Sequence, residues 1–338
     1  MNSSLAKSLR KQWLRKRNLR RARRFAADLT TGAPPVFILT NPADLHFAPL
    51  AVSTRSHSHT QIFVGNGLSD SDSAWLRERC PGIPILRLSA SLSGNAASYL
   101  PHGELVDLLA LSLDEPFFIQ DADCFVLDPA FFEHLRIPDE TEYAAGPYWK
   151  DCPDWNHLLP DTFLVGINSS SLRRVRNDYQ VDASITVTPP KRAASKLAET
   201  GVLGTWFPEQ THDKHYFDTL QLSWILATLD GEKFGKIEGQ SERVHHVGGT
   251  SYLAADPSMD LSHWDWWPLN TVYTTMRVLE YPGSQPLRAR FRHLYENFGD
   301  ANEIESQYPK FLESSRCAAT LDVLSRVGER NKAPLCAP

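Results

Sequence analysis

Apolar residues recur along the first half of the chain in short continuous runs, each ending in a polar turn. Residues 36–40 (VFILT) form one such run, the pattern of a parallel strand buried on both faces. Residues 61–64 repeat it and lead into Gly65-Asn66-Gly67, after which spacing predicts a helix near 73–79. A third strand is predicted over 83–88, a helix over 104–113 (ELVDLLALSL) and a fourth strand over 116–120 (PFFIQ). Strand–helix alternation at this rhythm predicts an α/β fold, a right-handed βαβ sheet with helices on both faces.

After residue 138 the rhythm becomes irregular. Strands are expected over 142–146 and 162–167, helices over 170–178 and 218–229, and a short strand over 244–247 that enters Gly248-Gly249. Residues 188–204, with Pro189-Pro190-Lys191-Arg192, read as a loop or lid. From about Pro268 onward the pattern is mostly helical. The expected organisation is a basic arm or helix (1–30), an α/β domain (31–260) and a mostly helical C-terminal extension (261–338).

Charge changes this picture at one place. Residues 1–25 carry ten of the 35 Lys and Arg residues and no acid, so the rest of the chain sets 25 bases against all 40 acids. A body this acidic argues against general nucleic-acid binding, which depends on phosphate neutralisation. Leu5, Leu9, Trp13 and Leu14 fall at helical spacing among the bases, a pattern suited to peripheral contact with an anionic membrane. A basic helix packed on the acidic body, or a disordered arm, is the alternative. The arm lacks the apolar core of a secretory signal, and no apolar run approaches a bilayer span. The five cysteines are scattered and odd in number, which fits a reducing compartment; the expectation is a cytoplasmic protein, resting at most on the inner membrane surface.

Residues 117–129 (FFIQDADCFVLDP) carry the sharpest chemical feature. An apolar strand runs directly into Asp121-Ala122-Asp123, and a second apolar patch follows. Carboxylates at i and i+2 on an extended backbone point the same way, so both reach one hard cation. In open parallel sheets, ligands bind at the carboxyl ends of strands. A divalent ion there neutralises a diphosphate and stabilises it as a leaving group. Carboxylate ligands favour Mg²⁺ or Mn²⁺ over softer metals. A plain turn built on two Asp residues is the alternative.

With these residues the chain resembles the glycosyltransferases of GT-A fold, which have a Rossmann-like mixed sheet with helices on both faces. They hold a divalent metal and a nucleotide-sugar diphosphate on an Asp-x-Asp at a strand end. Residues 62–70 (IFVGNGLSD) look like the strand and turn before the nucleotide site, although Asn66-Gly67 also reads as a simple turn. Residues 161–168 (DTFLVGIN) are similar to the strand that lines the donor sugar. Residues 245–251 (HHVGGTS) look like the late segment whose histidine completes the metal shell. The resemblance therefore implies Mn²⁺ (or Mg²⁺) held by Asp121, Asp123 and His246. His245 and His246 alternate faces on a strand, so one of them faces the metal, and the Gly-Gly-x-Ser match favours His246. Donor contacts are implied for Thr40, Asn41, Asn66, Asp70, Asp121 and Asn168. The Lys of the glycogenin-like branch is absent, Ser251-Tyr252 standing in its place.

The resemblance also implies Asp218, at a helix start, as the base that takes the acceptor hydroxyl proton in an inverting transfer. Asp218-Thr219-Leu220-Gln221 reads equally as an N-cap with Gln at N3, and Asp213 is the second candidate. A retaining transfer needs no such base. Trp264, Trp266 and Trp267 offer a sugar-stacking platform or, alternatively, core or interface area. The expected function is transfer of a sugar from a nucleotide-sugar donor to a glycan, lipid-linked or protein acceptor. A metal-dependent nucleotidyltransferase ranks second, because Thr40-Asn41-Pro42-Ala43-Asp44 is not a Gly-rich phosphate loop. A non-catalytic glycan-binding or scaffold protein of the same fold is the third reading.

Overall fold

The structure, a computed structural model, describes residues 3–29, 32–90, 99–152, 155–199, 216–250 and 266–332. In chain order its elements are helix α1 (Ser3–Ala27), β1 (Val36–Thr40), α2 (Ala48–Ala51), β2 (Gln61–Asn66), α3 (Asp70–Arg79), β3 (Ile85–Leu88) and α4 (His102–Ala110). Then come β4 (Phe117–Asp121), β5 (Cys124–Val126), α5 (Ala130–Glu133), β6 (Glu142–Gly146), β7 (Trp149–Cys152), β8 (Trp155–Pro160) and β9 (Leu164–Ile167). They are followed by α6 (Ser169–Tyr179), α7 (Lys191–Ala198), α8 (Gln221–Leu229), β10 (Lys233–Lys236) and β11 (Val244–His246). The C-terminal helices are α9 (Trp266–Leu279), α10 (Gln285–Arg288), α11 (Arg292–Phe298), α12 (Ala301–Gln307), α13 (Pro309–Leu312) and α14 (Ser315–Lys332).

Seven strands form one sheet in the order β10-β6-β9-β4-β1-β2-β3. β4, β1, β2 and β3 run parallel, as the βα rhythm predicts, whereas β9 runs antiparallel to both β4 and β6. The sheet is therefore mixed. All five positions of β1 are buried because helices cover both faces. Alternation divides them: Phe37 and Leu39 join Ile62 and Val64 under α4, α6 and α8. Ile38 and Phe63 face the other way, into a core with Tyr273 and Met276 of α9, Phe291, and Phe311 of α13. The C-terminal helices thus complete one face of the sheet.

Several elements depart from the sequence reading. Residues 191–198 of the expected loop are helical, Pro190 serving as N-cap of α7 and Ala193 and Leu197 buried against the core. The helix expected from 218 begins at Gln221, after Leu220 takes a left-handed φ of 64°. The β7–β8 hairpin and the edge strand β10 carry no alternating pattern long enough to signal them. The basic arm is helical and packs on the body: Leu14, Asn18 and Ala22 are buried. The Asn18 side chain donates to the Ser89 carbonyl at 2.8 Å and accepts from its N–H at 3.0 Å, and Arg15 pairs with the buried Asp107. Among the described residues, no helix is long and apolar enough to cross a membrane.

Candidate active site

The site grows from the point where β4 ends. Asp121 is its last residue, Ala122 and Asp123 turn, and β5 begins at Cys124. β11 pairs antiparallel with β5 and sets His246 across from Cys124 and His245 across from Phe125. The Val247 N–H donates to the Asp123 carbonyl at 3.0 Å, which fixes this register beside the turn. Alternation then separates the two histidines. His245 Nε2 lies 3.2 Å from Thr320 Oγ1 on α14, whereas His246 Nε2 lies 3.5 Å from Asp123 Oδ1. Asp121, Asp123 and His246 each offer a ligand atom within 4.8 Å of the others.

Two neighbours hold this trio. Gly248 and Gly249 both take positive φ (78° and 70°), which side chains other than glycine rarely adopt. They turn the chain so that Thr250 Oγ1 donates to Asp123 Oδ2 at 3.0 Å. The Phe163 carbonyl accepts the Asp121 N–H at 2.8 Å, and its ring stacks on His246 with centroids 4.0 Å apart and planes 16° from parallel.

The electrostatics suit a cation. Burial pushes the Asp121 carboxyl up to about 6; His102 opposes that shift and the neighbouring Asp123 adds to it. Burial also disfavours the Asp123 carboxylate, but the facing His246 and hydrogen bonds from His246 and Thr250 outweigh it and hold the carboxyl below its usual range. Burial lowers His246, yet Asp123 and Asp121 together prevail and raise it above the ordinary histidine value. A proton on His246 thus offsets negative charge that a divalent ion would offset more fully. Two hard carboxylate oxygens and one imidazole suit Mn²⁺ or Mg²⁺ without specifying which.

Other expected residues lie at varying distances from this trio. Register aligns Leu39 with Asp121 and Thr40 with Gly65, so Thr40 ends β1 beside the site; its hydroxyl donates weakly to the Ile38 carbonyl at 3.4 Å. Asn41 closes its own turn: its N–H donates to Asp44 Oδ1 at 2.7 Å, and its Oδ1 accepts from the Ala43 N–H at 2.7 Å. The Asn66 side chain both donates to and accepts from the Leu100 backbone, at 2.8 Å each, and so tethers the approach to α4. Asp70 is exposed on α3 and pairs with Arg87 at 2.7 Å. Asn168 is carried away from Asp121, because antiparallel pairing sets Phe117 against Ile167 and Gln120 against Leu164. Its Oδ1 caps α6 from Ser170 and Ser171, and its Nδ2 donates to the carbonyls of Asp139 and Glu142.

Asp218 is half-buried just before α8. Its Oδ1 accepts from the Thr219 N–H at 2.7 Å, and its own N–H donates to Gln221 Oε1 at 2.8 Å, the bracing of a helix start. The next residue but one, Leu220, donates to the Ala183 carbonyl, and Ala183 in turn packs against Gly103 at the start of α4. Asp213, Ser251, Tyr252 and Trp264 lie outside the described residues, and Trp266 and Trp267 open α9.

Three residues of the site give no signal in the sequence. His102, at the first turn of α4, puts Nε2 3.6 Å from Asp121 Oδ1. Asp44 is buried near the pair; burial raises its carboxyl well above the usual range, bonding to Asn41 opposes this, and the charges of Asp123 and Asp121 add to it. His46 is buried against Phe47 and Phe291, with ring centroids 4.0 and 4.8 Å away and neither ring nitrogen hydrogen-bonded among the described residues.

With this geometry in place, comparison with known proteins supports a glycosyltransferase. Residues 12–172, which include both aspartates, match the family described as the StrH glycosyltransferase N-terminal domain; His246 lies beyond the match. Over 174 residues the chain is 28% identical to the dTDP-dihydrostreptose–streptidine-6-phosphate dihydrostreptosyltransferase of Streptomyces griseus. That alignment covers 49% of this chain and 40% of the relative, so the chain spans well under half of the protein it matches.

Proposed function

We propose that the protein transfers a sugar from a nucleotide-sugar donor to an acceptor hydroxyl, with a divalent cation held by Asp121, Asp123 and His246. The convergence of these three ligands at the carboxyl end of β4 is the observation that carries the reading. When bound, the cation would neutralise the donor diphosphate and make it a better leaving group. The chain's own residues do the remaining work. His246 would ligate as the neutral imidazole, Phe163 holds the imidazole plane, and Thr250 fixes the Asp123 carboxylate. Asp218 is the candidate to take the acceptor proton. Residues 31–260 would form the catalytic domain, with 261–338 as its helical extension.

The S. griseus relative is named for a thymidine-diphosphate sugar as donor, so thymidine diphosphate is the first nucleotide to try. The nucleotidyltransferase reading gains no support at residues 40–44, where Asn41 and Asp44 bond to each other instead of presenting free donors to a phosphate. A thermal-shift series tests the proposal, since a ligand that binds only the folded state raises the melting temperature. Thymidine or uridine diphosphate should stabilise the chain only when Mn²⁺ is present, and Asp123→Ala should abolish that shift. Stabilisation that survives in Asp123→Ala would sink the proposed site. Asp218→Asn should retain the shift yet lose transfer; an unchanged transfer rate would leave Asp218 as a helix brace alone.

A further inference from the structure

Among the described residues, one face of α1 packs on the body. Leu14, Asn18 and Ala22 are buried on it, and Arg15 reaches Asp107 from its edge. Leu9, Trp13, Lys16, Arg17, Arg20 and Arg24 follow at intervals of four, three, one, three and four, which gathers them into a single outward stripe. Leu9 is 52% exposed and Trp13 53%, one turn apart at the N-terminal end of that stripe, and Arg17 lies over the Trp13 ring at 5.5 Å. Beside the stripe, α1 and β3 enclose a cleft of about 830 Å³, which Arg21, Arg87 and Ser89 also line.

Its charge is unspent. Among the described residues, no carboxylate is ion-paired with Lys16, Arg17, Arg20 or Arg24, and of the two acids at the cleft, Asp70 is engaged by Arg87. The crowding is felt at Arg21, which burial and the charges of Arg17 and Arg87 hold below the ordinary arginine value. The rest of the chain is acidic, with 25 bases against 40 acids. An anionic surface is therefore drawn to α1 and repelled elsewhere, which orients the whole molecule.

We propose that the outward stripe of α1 docks on an anionic phospholipid surface, its bases on lipid phosphates and Trp13 and Leu9 in the headgroup layer. A nucleic acid would use the bases but leave no role for an exposed Leu9. A free phosphate would use the cleft alone. The inference stands independently of the transferase reading, because it concerns residues remote in sequence from Asp121, Asp123 and His246.

Co-sedimentation of the full chain with vesicles tests it. Binding is expected to phosphatidylcholine vesicles containing 30% phosphatidylglycerol and not to phosphatidylcholine alone. A base near the surface is worth roughly a fivefold change in partitioning, so Arg17→Gln/Arg20→Gln/Arg24→Gln should weaken binding about a hundredfold at an unchanged melting temperature. Trp13→Ala should weaken it further at high salt, where only the apolar contribution remains. Equal binding by the triple variant would overturn the proposal. So would release by millimolar pyrophosphate beyond that caused by sodium chloride of equal ionic strength, which would assign the cleft to a soluble phosphate. Equal affinity for duplex DNA and for the anionic vesicles would likewise overturn it.

Discussion

His102 Nε2 stands 3.6 Å from Asp121 Oδ1, which brings a second imidazole to the carboxylate pair from the first turn of α4. His246 engages Asp123 and His102 engages Asp121, so each carboxylate has its own histidine. Residues that orient a ligand carboxylate commonly change metal affinity by about ten- to a hundredfold. His102→Phe is therefore expected to weaken Mn²⁺–nucleotide binding by about tenfold in calorimetric titration. Affinity equal to wild type would remove His102 from the site.

The helix that delivers His102 depends on Gly103. A Cβ at this position would overlap the Ala183 carbonyl and the Ser184 backbone, neither of which is a flexible side-chain end. Gly103→Ala is expected to cost about 1–3 kcal/mol of stability in denaturant titration. It should also lower nucleotide affinity by displacing His102, and a fully stable variant with normal binding would show that the backbone moves freely there.

In the proposed site, cation binding and protonation would compete at His246. Asp123 and Asp121 overcome the effect of burial and raise its pKa above the ordinary value near 6.5. Between about pH 6, below which Asp121 protonates as well, and that raised pKa, one proton must leave before the nitrogen can ligate, so apparent Mn²⁺ affinity should rise about tenfold per pH unit and then level off. A flat profile between pH 6 and 8 would mean that His246 does not ligate.

His46 has the opposite sign and a different readout. Burial holds its pKa down to about 3, Asp123 acting against that shift, while an unfolded histidine titrates near 6.5. Between these values the unfolded chain carries the extra proton, so stability is full above pH 6.5 and falls as pH drops towards 3. The expected loss is about 1.4 kcal/mol per pH unit, or about 2.7 kcal/mol at pH 4.5. His46→Leu should flatten this limb in pH-dependent urea titrations, and an unaltered limb would place the acid sensitivity elsewhere.

Asn168 separates a structural from a donor-binding role. Its Oδ1 caps α6, and loss of such a cap costs about 1 kcal/mol or somewhat more. Asn168→Ala should lower stability by that amount and leave nucleotide affinity unchanged; a weakened donor would return it to the site.

The same residue shows what sequence can reveal here. The run at 162–167 identifies β9 as a strand, but periodicity carries no direction, and antiparallel pairing with β4 moves Asn168 to the far end of the sheet while bringing Phe163 to Asp121. Asp121 and Asp123 were legible because an apolar run feeds them directly. Alternation says only that His245 and His246 face opposite ways; His246 is singled out by the resemblance of its Gly-Gly-x-Ser segment, and the structure sets it, with His245 turned to Thr320, in the group with Asp121 and Asp123. His102 and Asp44 were not, since each reaches the site through tertiary packing and neither stands in a local pattern. The β7–β8 hairpin and β10 escaped for a related reason: both are short, and β10 is a polar edge strand stabilised by its partner.

Anomalous diffraction from a crystal soaked with Mn²⁺ and thymidine diphosphate tests the central claim most directly. The expected result is one manganese peak within coordination distance of Asp121, Asp123 and His246 Nε2, with diphosphate oxygens completing the shell. A nucleotide bound without manganese there, the two carboxylates turned away from it, would contradict the account.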